Sequence, residues 1–318
     1  MSCALILSGC GAEENPLLEY QVSSPALAGG GRSLKSTAQA EYLSEGICVI
    51  PKGQQTKTKA SVMQAKASLI IDDTAEAMLY SHNIYKKLYP ASITKIVTAL
   101  VALKYGNLDE TVTVSYNASH ITEYGAKLCG FEEGDTIVLK DLLYSFLICS
   151  GNDAGIAIAE HIAGDVDSFA KLMNQEMRRL GAVHSHFVNP HGLHDKKHYT
   201  TAYDLYLVFH ELVRDGQFLD IVSQSGFKAK YHNKKGKKKK LYFTSTDRYL
   251  LGTATAPQGV EVIGGKTGTT SDAGSCLLLY SKGPDGDYYI SVVLGAEGAW
   301  ALYEQMNYLL SLEGGGAS

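Results

Sequence analysis

The chain has 318 residues, of which 45% are hydrophobic and 19% charged, and its mean hydropathy is -0.07. These values are typical of a soluble globular protein of one or two domains, and no apolar run approaches the roughly 18 residues of a membrane-spanning helix. The net charge of -4 gives no overall reason to bind nucleic acid, which we exclude as a partner. The six cysteines form no CxxC pair and predict neither a zinc site nor a disulfide framework.

Residues 1–22 contain a short motif of the kind that precedes lipidation in bacterial lipoproteins. Leu7, Ser8 and Gly9 lead into Cys10, and a polar stretch follows at residues 11–15. This pattern predicts a signal and lipidation of Cys10, which would be the membrane contact of the chain. However, the start has no Lys or Arg, and its apolar stretch is shorter than the usual ~7–15 residues. An accidental apolar start is therefore the alternative.

Residues 23–66 are rich in Gly, Ser, Ala, Lys and Gln and have little periodicity, which predicts a flexible tether. The folded domain is therefore expected over residues 67–318. Its first two β-prone runs, residues 67–72 and 77–81, are separated by a turn-like segment and predict a hairpin.

In the rest of the chain the spacing of apolar residues changes twice. Between about residues 92 and 215, apolar residues recur at i, i+3 and i+4, which predicts helices. Strand-like runs return at 261–266, 275–280 and 288–294, before a final helix at 300–312. Because the first and last strands can share a sheet only if the helical block is inserted between them, we predict an α/β (α+β) fold. It is an antiparallel sheet flanked by helices, with an inserted all-helical lobe and a cleft at the junction.

Ser92 and Lys95 form an SxxK motif that opens a helix shortly after Pro90. One turn apart on a helix, the two side chains lie on the same face and can meet. A serine hydroxyl needs a base to take its proton, and a lysine can be that base if burial or a second cation favours its neutral amine. Lys266 is the candidate for that cation. The alternative is a helix cap at Ser92 and an exposed lysine at position 95.

Ser150, Gly151 and Asn152 form an SxN motif between two apolar helices. A tight turn there would project a hydroxyl and an amide into the cleft, and the hydroxyl can relay a proton. A simple capping turn would explain the same residues.

Lys266, Thr267 and Gly268 form a KTG motif after a β-prone run, and Thr269 follows it. Small residues at this position let the backbone approach a substrate as though it were another strand. The lysine would attract a carboxylate, and the two threonine hydroxyls can hold it. The backbone N–H groups of Ser92 and Thr269 are the expected oxyanion-hole pair. Taken alone, an exposed lysine at a strand end is the alternative.

SxxK and SxN each recur elsewhere in the chain, but KTG occurs once, and the order SxxK, SxN, KTG is the informative feature. Around these motifs, residues 89–100, 150–154, 187–193 and 265–270 resemble the low-molecular-mass penicillin-binding proteins that are serine D-alanyl-D-alanine carboxypeptidases. The resemblance covers about residues 67–312. It implies a β-lactamase/transpeptidase-like fold, no cofactor and an extracytoplasmic location. It also implies a peptidoglycan stem peptide ending in D-Ala-D-Ala as substrate and β-lactams as covalent inhibitors.

The same resemblance implies a role for each motif. Ser92 is the nucleophile and Lys95 its base, Ser150 and Asn152 relay a proton and clamp the substrate, and the KTG lysine and threonine bind carboxylate. Two features depart from many relatives. The β-rich domain and amphipathic membrane helix that many carry are not found, and a lipid on Cys10 is the expected substitute anchor. No arginine follows position 248, so a carboxylate-binding arginine on a late strand has no candidate.

Two other functions use the same motifs. A class A-like β-lactamase needs a second base to hydrolyse its acyl-enzyme, and Glu176 is the nearest match, although the Asn that normally follows is missing. A penicillin or muropeptide sensor would be acylated without turnover, but no signalling segment is evident.

Two clusters remain outside the motifs. Histidines at positions 184, 186, 191, 194 and 198 have a spacing conceivable for a metal, but His191 lies in a family-like turn, and we predict no metal site. Residues 228–240 contain eight lysines and no acid, so their +8 leaves about -12 for the rest of the chain at its net charge of -4. This segment predicts a solvated hairpin, with an anionic wall polymer as an alternative partner.

Overall fold

A computed structural model describes residues 46–51, 56, 63–123 and 125–315. The predicted signal, Cys10 and the tether before residue 46 lie outside the described residues. The strands are β1 Ala67–Asp72, β2 Ala77–His82, β3 Thr111–Thr113, β4 Thr136–Val138, β5 Gly226–His232, β6 Lys238–Thr244, β7 Glu261–Thr270, β8 Gly274–Lys282 and β9 Tyr288–Ala296. The helices are α1 Thr94–Tyr105, α2 Tyr116–Ser119, α3 Leu139–Cys149, α4 Asn152–Ala163, α5 Val166–Arg179, α6 Ala202–Leu212, α7 Gly216–Val222 and α8 Gly298–Leu310.

The first and last strands share one five-stranded antiparallel sheet, in the order β2-β1-β9-β8-β7. Leu69 in β1 lies opposite Ser81 in β2 and Val292 in β9, so the N-terminal hairpin is paired directly to the C-terminal part of the chain. Strand β1 is buried along its whole length because α6 packs on one face of the sheet and α8 on the other. This arrangement confirms the predicted sheet flanked by helices.

The insert between β2 and β7 is not all-helical, and it does not end near residue 215. It contains a second, four-stranded sheet in the order β3-β4-β5-β6, and its last strand ends at Thr244. Strands β3 and β4 have three residues each, which is too short for an alternating pattern to appear. In β5 the inward side chains alternate with lysines, and β6 begins with three consecutive lysines, so the high charge of the hairpin concealed its place in a sheet.

Helix α1 lies at the centre of the insert. Its residues from Thr94 to Ala102 are all buried, and it contacts α3, α4, α5 and α6. A helix that is surrounded by others is apolar on every side rather than on one stripe. Lys95 is therefore buried in the core together with its neighbours. The alternative of an exposed lysine at this position was wrong.

The described part of the predicted tether packs against the domain. Cys48 is buried, its N–H donates to the Tyr206 hydroxyl (3.0 Å), and its carbonyl accepts from the Tyr203 hydroxyl (3.0 Å). Near the other end, Gln305 Oε1 accepts from the backbone of Ala65 (2.6 Å). The tether predicted for residues 23–66 was therefore wrong for these segments. The packing of short apolar segments without periodicity cannot be predicted from sequence, because these segments are ordered only by tertiary contacts.

No helix among the described residues is long and apolar enough to cross a membrane.

Candidate active site

The three sequence motifs meet at one cavity of about 370 Å³. Six of the predicted site residues line it: Ser92, Ser150, Asn152, Thr267, Gly268 and Thr269. The other two, Lys95 and Lys266, lie beneath its surface and are exposed by only 0% and 1%. The cavity lies where the insert meets β7, which is the predicted junction between the two parts of the fold.

The amine of Lys95 lies next to the hydroxyl of Ser92. Its Nζ lies 3.0 Å from Ser92 Oγ, and it donates hydrogen bonds to Asn152 Oδ1 (2.8 Å) and to the His191 carbonyl (2.7 Å). Burial, and after it the positive charge of Lys266, hold the pKa of Lys95 well below its ordinary value. A neutral amine has two N–H donors, which Asn152 and His191 accept, and one lone pair. That lone pair then faces the serine hydroxyl.

The chain around Ser92 adopts a conformation that few residues tolerate. Ala91 has a φ of +48° in a 3-10 turn over Ala91–Ile93, and strained backbone of this kind is often found at functional sites. Two glycines approach the turn closely. A Cβ on Gly192 would lie 1.8 Å from the Ala91 carbonyl oxygen, and one on Gly268 would lie 2.9 Å from Ser92 N. The turn is thus fixed between the 189–193 loop and strand β7.

A buried histidine also holds this turn. His198 Nδ1 accepts from Val188 N (3.2 Å), which leaves Nε2–H to donate to Thr94 Oγ1 (2.8 Å), and Thr94 donates to the Ala91 carbonyl (2.8 Å). Burial lowers the pKa of His198 to about 3, so the ring is neutral and this donor pattern is maintained.

The Ser150 turn is built by backbone strain and one buried carboxylate. Ser150 has a φ of +65° and ends α3, and Asn152 begins α4. The carboxylate of Asp153 accepts from the backbone N–H groups of Cys129 (2.8 Å) and Gly130 (2.8 Å). A carboxylate that accepts backbone hydrogen bonds fixes the loop that donates them. Lys127, two residues before Cys129, lines the cavity together with Ser150.

Strand β7 brings the third motif to the cavity. Lys266 Nζ donates to the Thr267 carbonyl (2.9 Å), and burial followed by the charge of Lys127 lowers the pKa of Lys266 to about 7. Thr267 Oγ1 donates to Thr246 Oγ1 (2.5 Å). An anion bound in the cavity would accept hydrogen bonds from the hydroxyl groups of this strand and would restore the charged form of Lys266.

A family model described as D-alanyl-D-alanine carboxypeptidase matches residues 54–298. The chain belongs to this family. Among curated relatives, D-alanyl-D-alanine carboxypeptidase DacF of Bacillus subtilis is 32% identical over 76% of this chain and 59% of its own length. D-alanyl-D-alanine carboxypeptidase DacC of Escherichia coli is 34% identical over 77% of this chain and 59% of its own length. The chain thus spans about three fifths of each.

Solved structures agree with this assignment. A Streptomyces DD-transpeptidase superimposes with a TM-score of 0.72 and 26% identity, over 81% of this chain and 100% of the other. Penicillin binding protein 5 from Haemophilus influenzae superimposes with a TM-score of 0.70 and 28% identity, over 80% of this chain and 71% of the other. These likenesses confirm the predicted fold class and the resemblance stated from the motifs.

The cavity of this D-alanyl-D-alanine carboxypeptidase family member is also lined by residues that the sequence motifs did not predict. Lys127, Thr246 and Arg248 line the cavity together with Tyr303. Arg248 lies in the loop before β7, its guanidinium carbon is 5.4 Å from the Tyr303 ring centroid, and it forms no ion pair within the described residues. The resemblance implied an arginine on a strand after the KTG motif, whereas Arg248 precedes that motif. No sequence pattern marks a loop residue of this kind.

Glu176 lies away from the cavity. Its carboxylate accepts from Lys104 Nζ (2.7 Å), Arg179 Nε (2.7 Å) and the Tyr105 hydroxyl (2.6 Å). Burial raises its pKa, but these hydrogen bonds outweigh burial and lower the pKa to about 2. Glu176 is therefore a structural carboxylate that joins α5 to α1.

Proposed function

We propose that this chain is a serine D-Ala-D-Ala carboxypeptidase that removes the terminal D-alanine from peptidoglycan stem pentapeptides through an acyl-enzyme on Ser92. The observation that carries the proposal is the 3.0 Å approach of Lys95 Nζ to Ser92 Oγ, with the lysine fully buried and its pKa lowered. Burial of a lysine is unfavourable unless its neutral form is used or its charge is paired. No carboxylate of the described residues pairs with it.

Acylation begins when Lys95 takes the hydroxyl proton and Ser92 Oγ attacks the carbonyl carbon of the penultimate D-alanine. The carbonyl oxygen becomes an oxyanion, which the N–H groups of Ser92 and Thr269 stabilise. This pairing is supported by the close approach of Gly268 to Ser92, where a Cβ on the glycine would lie 2.9 Å from Ser92 N, since it brings the next residue of β7 near the nucleophile. The C–N bond then breaks, and the proton passes from Lys95 to the leaving amine, with the Ser150 hydroxyl as relay.

The carboxylate of the terminal D-alanine is held by the KTG strand. Lys266 supplies positive charge from beneath the cavity, and the Thr269 hydroxyl donates from the strand. The Thr267 hydroxyl turns from Thr246 to donate to the carboxylate when the substrate binds. Arg248 at the rim of the cavity offers a second cation, in place of an arginine on a later strand. The terminal residue must carry a free carboxylate to use these groups, which favours removal of the last residue over cleavage within a chain.

Deacylation uses the same groups in reverse. Once D-alanine has left, a water molecule occupies its place and gives a proton to Lys95 as it attacks the ester carbon. Ser92 Oγ leaves with that proton, and the enzyme is restored. A β-lactam opens on Ser92 without releasing a fragment, so it keeps blocking the water, and we expect β-lactams to be covalent inhibitors.

Two alternatives share the acylation step. A β-lactamase is disfavoured because Glu176 is engaged with Lys104 and Arg179 at the C-terminal end of α1, whereas Ser92 precedes the start of that helix. A penicillin or muropeptide sensor would be acylated but would not release product repeatedly.

The site of action is proposed to be outside the cytoplasm, where peptidoglycan stems are found. Lipidation of Cys10 after a signal within residues 1–22 would hold the chain at the outer face of the membrane, with the segment up to about residue 45 as tether. Without it, the chain would be secreted. Mass spectrometry of the chain purified from membranes tests this, because a lipid-modified N-terminal peptide beginning at Cys10 is expected and an unmodified one contradicts the anchor.

The decisive experiment is incubation of purified protein with a stem pentapeptide, followed by measurement of free D-alanine. Many turnovers per enzyme are expected from wild type and none from S92A. Release limited to one equivalent would identify a sensor, and no release with rapid penicillin hydrolysis would identify a β-lactamase.

A further inference from the structure

The β5–β6 hairpin, residues 226–244, is the most cationic surface of the described residues. Its eight lysines are all exposed: Lys228, Lys230, Lys234, Lys235, Lys237, Lys238, Lys239 and Lys240. We call it the lysine hairpin. Strand β6 is the edge of the four-stranded sheet, so these cations have solvent on one side rather than a neighbouring strand.

The charges of the lysine hairpin are not needed to fold it. Of the eight lysines, Lys234 alone forms an ion pair within the described residues, with Glu133 at 3.2 Å and both side chains exposed. Lys230 lies directly opposite Lys240 in the strand register. Like charges in opposed positions destabilise a sheet. A cluster that opposes folding and in which one lysine of eight forms an ion pair within the described residues points to a ligand.

The hairpin is stabilised by its inner face. Phe131 contacts the rings of Tyr231 (5.4 Å between centroids) and Phe243 (6.3 Å), and Phe227 stacks near Tyr144 (4.7 Å). These contacts leave the outer face rigid and free for binding. The hairpin turn is also closed, since Asn233 N donates to the Lys237 carbonyl (2.9 Å).

The outer face presents cations at regular intervals. Lys228 and Lys230 on β5 lie on the same face as Lys238 and Lys240 on β6, so neighbours along each strand on that face are about 6.8 Å apart. Tyr242 lies opposite Lys228 and is 71% exposed, with Lys228 Nζ 5.1 Å from its ring centroid. Two parallel rows of cations complement an extended chain of anions better than a single anion.

The lysine hairpin is fixed to the rim of the cavity. Strand β6 ends at Thr244, and Thr246 both lines the cavity and accepts the hydrogen bond from Thr267 Oγ1. A ligand held on the hairpin would therefore remain close to the active site.

We propose that the outer face of the lysine hairpin binds an anionic polymer with phosphodiester groups at regular intervals. The choice of a wall polymer rests on the proposed extracytoplasmic function, because such a polymer must share the compartment of the stem peptide. Docking onto an anionic membrane is less consistent with this face. Membrane-bound surfaces combine cations with several apolar side chains that insert, whereas Tyr242 is the one large exposed hydrophobic residue on the hairpin.

The test is binding of the full chain to soluble poly(glycerol phosphate), measured by fluorescence anisotropy at low and moderate salt. The hairpin variant is K230Q/K238Q/K240Q. The matched control, K86Q/K171Q/K197Q, removes three exposed lysines elsewhere. Wild type and the control variant should bind with affinity that falls as salt rises, because binding releases counterions. The hairpin variant should bind about tenfold or more weakly.

Three results would overturn the proposal: no binding by wild type at low salt, equal weakening in the control variant, or binding to phosphatidylglycerol vesicles without binding to the polymer. D-alanine release from a short pentapeptide should be unchanged in the hairpin variant, which checks its folding. Polymer binding by a wild type that releases no D-alanine would support this proposal while contradicting the proposed function.

Discussion

Lys95 and Asn152, which are 57 positions apart, are joined by a 2.8 Å hydrogen bond, and the same amine lies 3.0 Å from the hydroxyl of Ser92. The amide oxygen accepts from the lysine without adding a charge, so it orients the amine and leaves its pKa low. A carboxylate in the same place would favour the ammonium form. The chain thus places a neutral acceptor where an ion pair would abolish the base.

This relationship predicts the effect of N152D. The new carboxylate should raise the pKa of Lys95, so acylation by penicillin should slow at neutral pH and recover at higher pH. The acidic limb of the acylation rate against pH is expected to move upward by about one unit or more. N152A is the control, since it removes the acceptor without adding charge. Acylation of N152A should be slower, but the acidic limb of its pH profile should not move upward. If the acidic limb of N152D does not move either, Lys95 is not the titrating base.

Substitution of the nucleophile and the base should give effects that do not add. S92A should abolish labelling by a fluorescent penicillin, because the acyl bond has no other oxygen to form on. K95A should come close to that loss, and the double variant should be no worse than S92A alone. Labelling that survives S92A would move the nucleophile elsewhere, and near-normal labelling of K95A would require another base.

The motifs were predictable because each of them is local. SxxK fits one turn of a helix and KTG fits one end of a strand, so spacing alone brings Ser92 to Lys95 and aligns Thr267 with Thr269. The residues that support them were not predictable. His198 reaches Thr94 across more than a hundred positions, and no periodicity connects them.

The same reasoning explains the errors in the fold. Strands could be predicted from the sequence where five or more residues alternated between apolar and polar or were mostly apolar, as in β1 and β9. The three-residue strands β3 and β4 carry no such pattern, and Cys48 and Ile50 are ordered by tyrosines and aliphatic groups far away in sequence. Short segments take their structure from tertiary contacts, which a sequence window cannot contain.

The N-terminal packing predicts a stability difference between two fragments. A fragment beginning at Leu43 keeps Cys48, Ile50 and Met63 in the core, whereas one beginning at Ala67 exposes the sites they cover. Each buried aliphatic side chain contributes about 1.5–3 kcal/mol. The shorter fragment should therefore unfold at a clearly lower denaturant concentration. Equal midpoints for the two fragments would show that residues 43–66 are a tether after all.

Stability should fall in mild acid because of His198. Its pKa is about 3 in the folded chain and 6.5 ordinarily, so between these values the unfolded chain binds a proton that the folded chain does not. This contribution is complete above about pH 6.5 and is lost as pH falls towards 3, and the loss reaches about 2 kcal/mol at pH 5. H198Q removes the titrating group, so its loss of stability between pH 7 and pH 5 should be smaller by about that amount. An unchanged loss would mean that His198 is protonated without penalty.

Penicillin should form a long-lived adduct on Ser92. Acylation needs the groups already in place, namely Lys95 as base and the amides of Ser92 and Thr269 for the oxyanion. The opened ring stays attached and blocks the path that water takes after D-alanine leaves, so hydrolysis requires a second base on the open side. Glu176, the candidate for that base, instead accepts hydrogen bonds from Lys104 and Arg179.

Intact-mass spectrometry after mixing with excess penicillin should therefore show one added drug mass that persists for many minutes. E176Q should leave the lifetime of the adduct unchanged, although it should lower the unfolding midpoint, because Lys104 and Arg179 lose a charged acceptor. A shorter-lived adduct in wild type than in E176Q would make Glu176 a deacylating base. Reversion of the mass within seconds, while drug is consumed, would make the protein a β-lactamase.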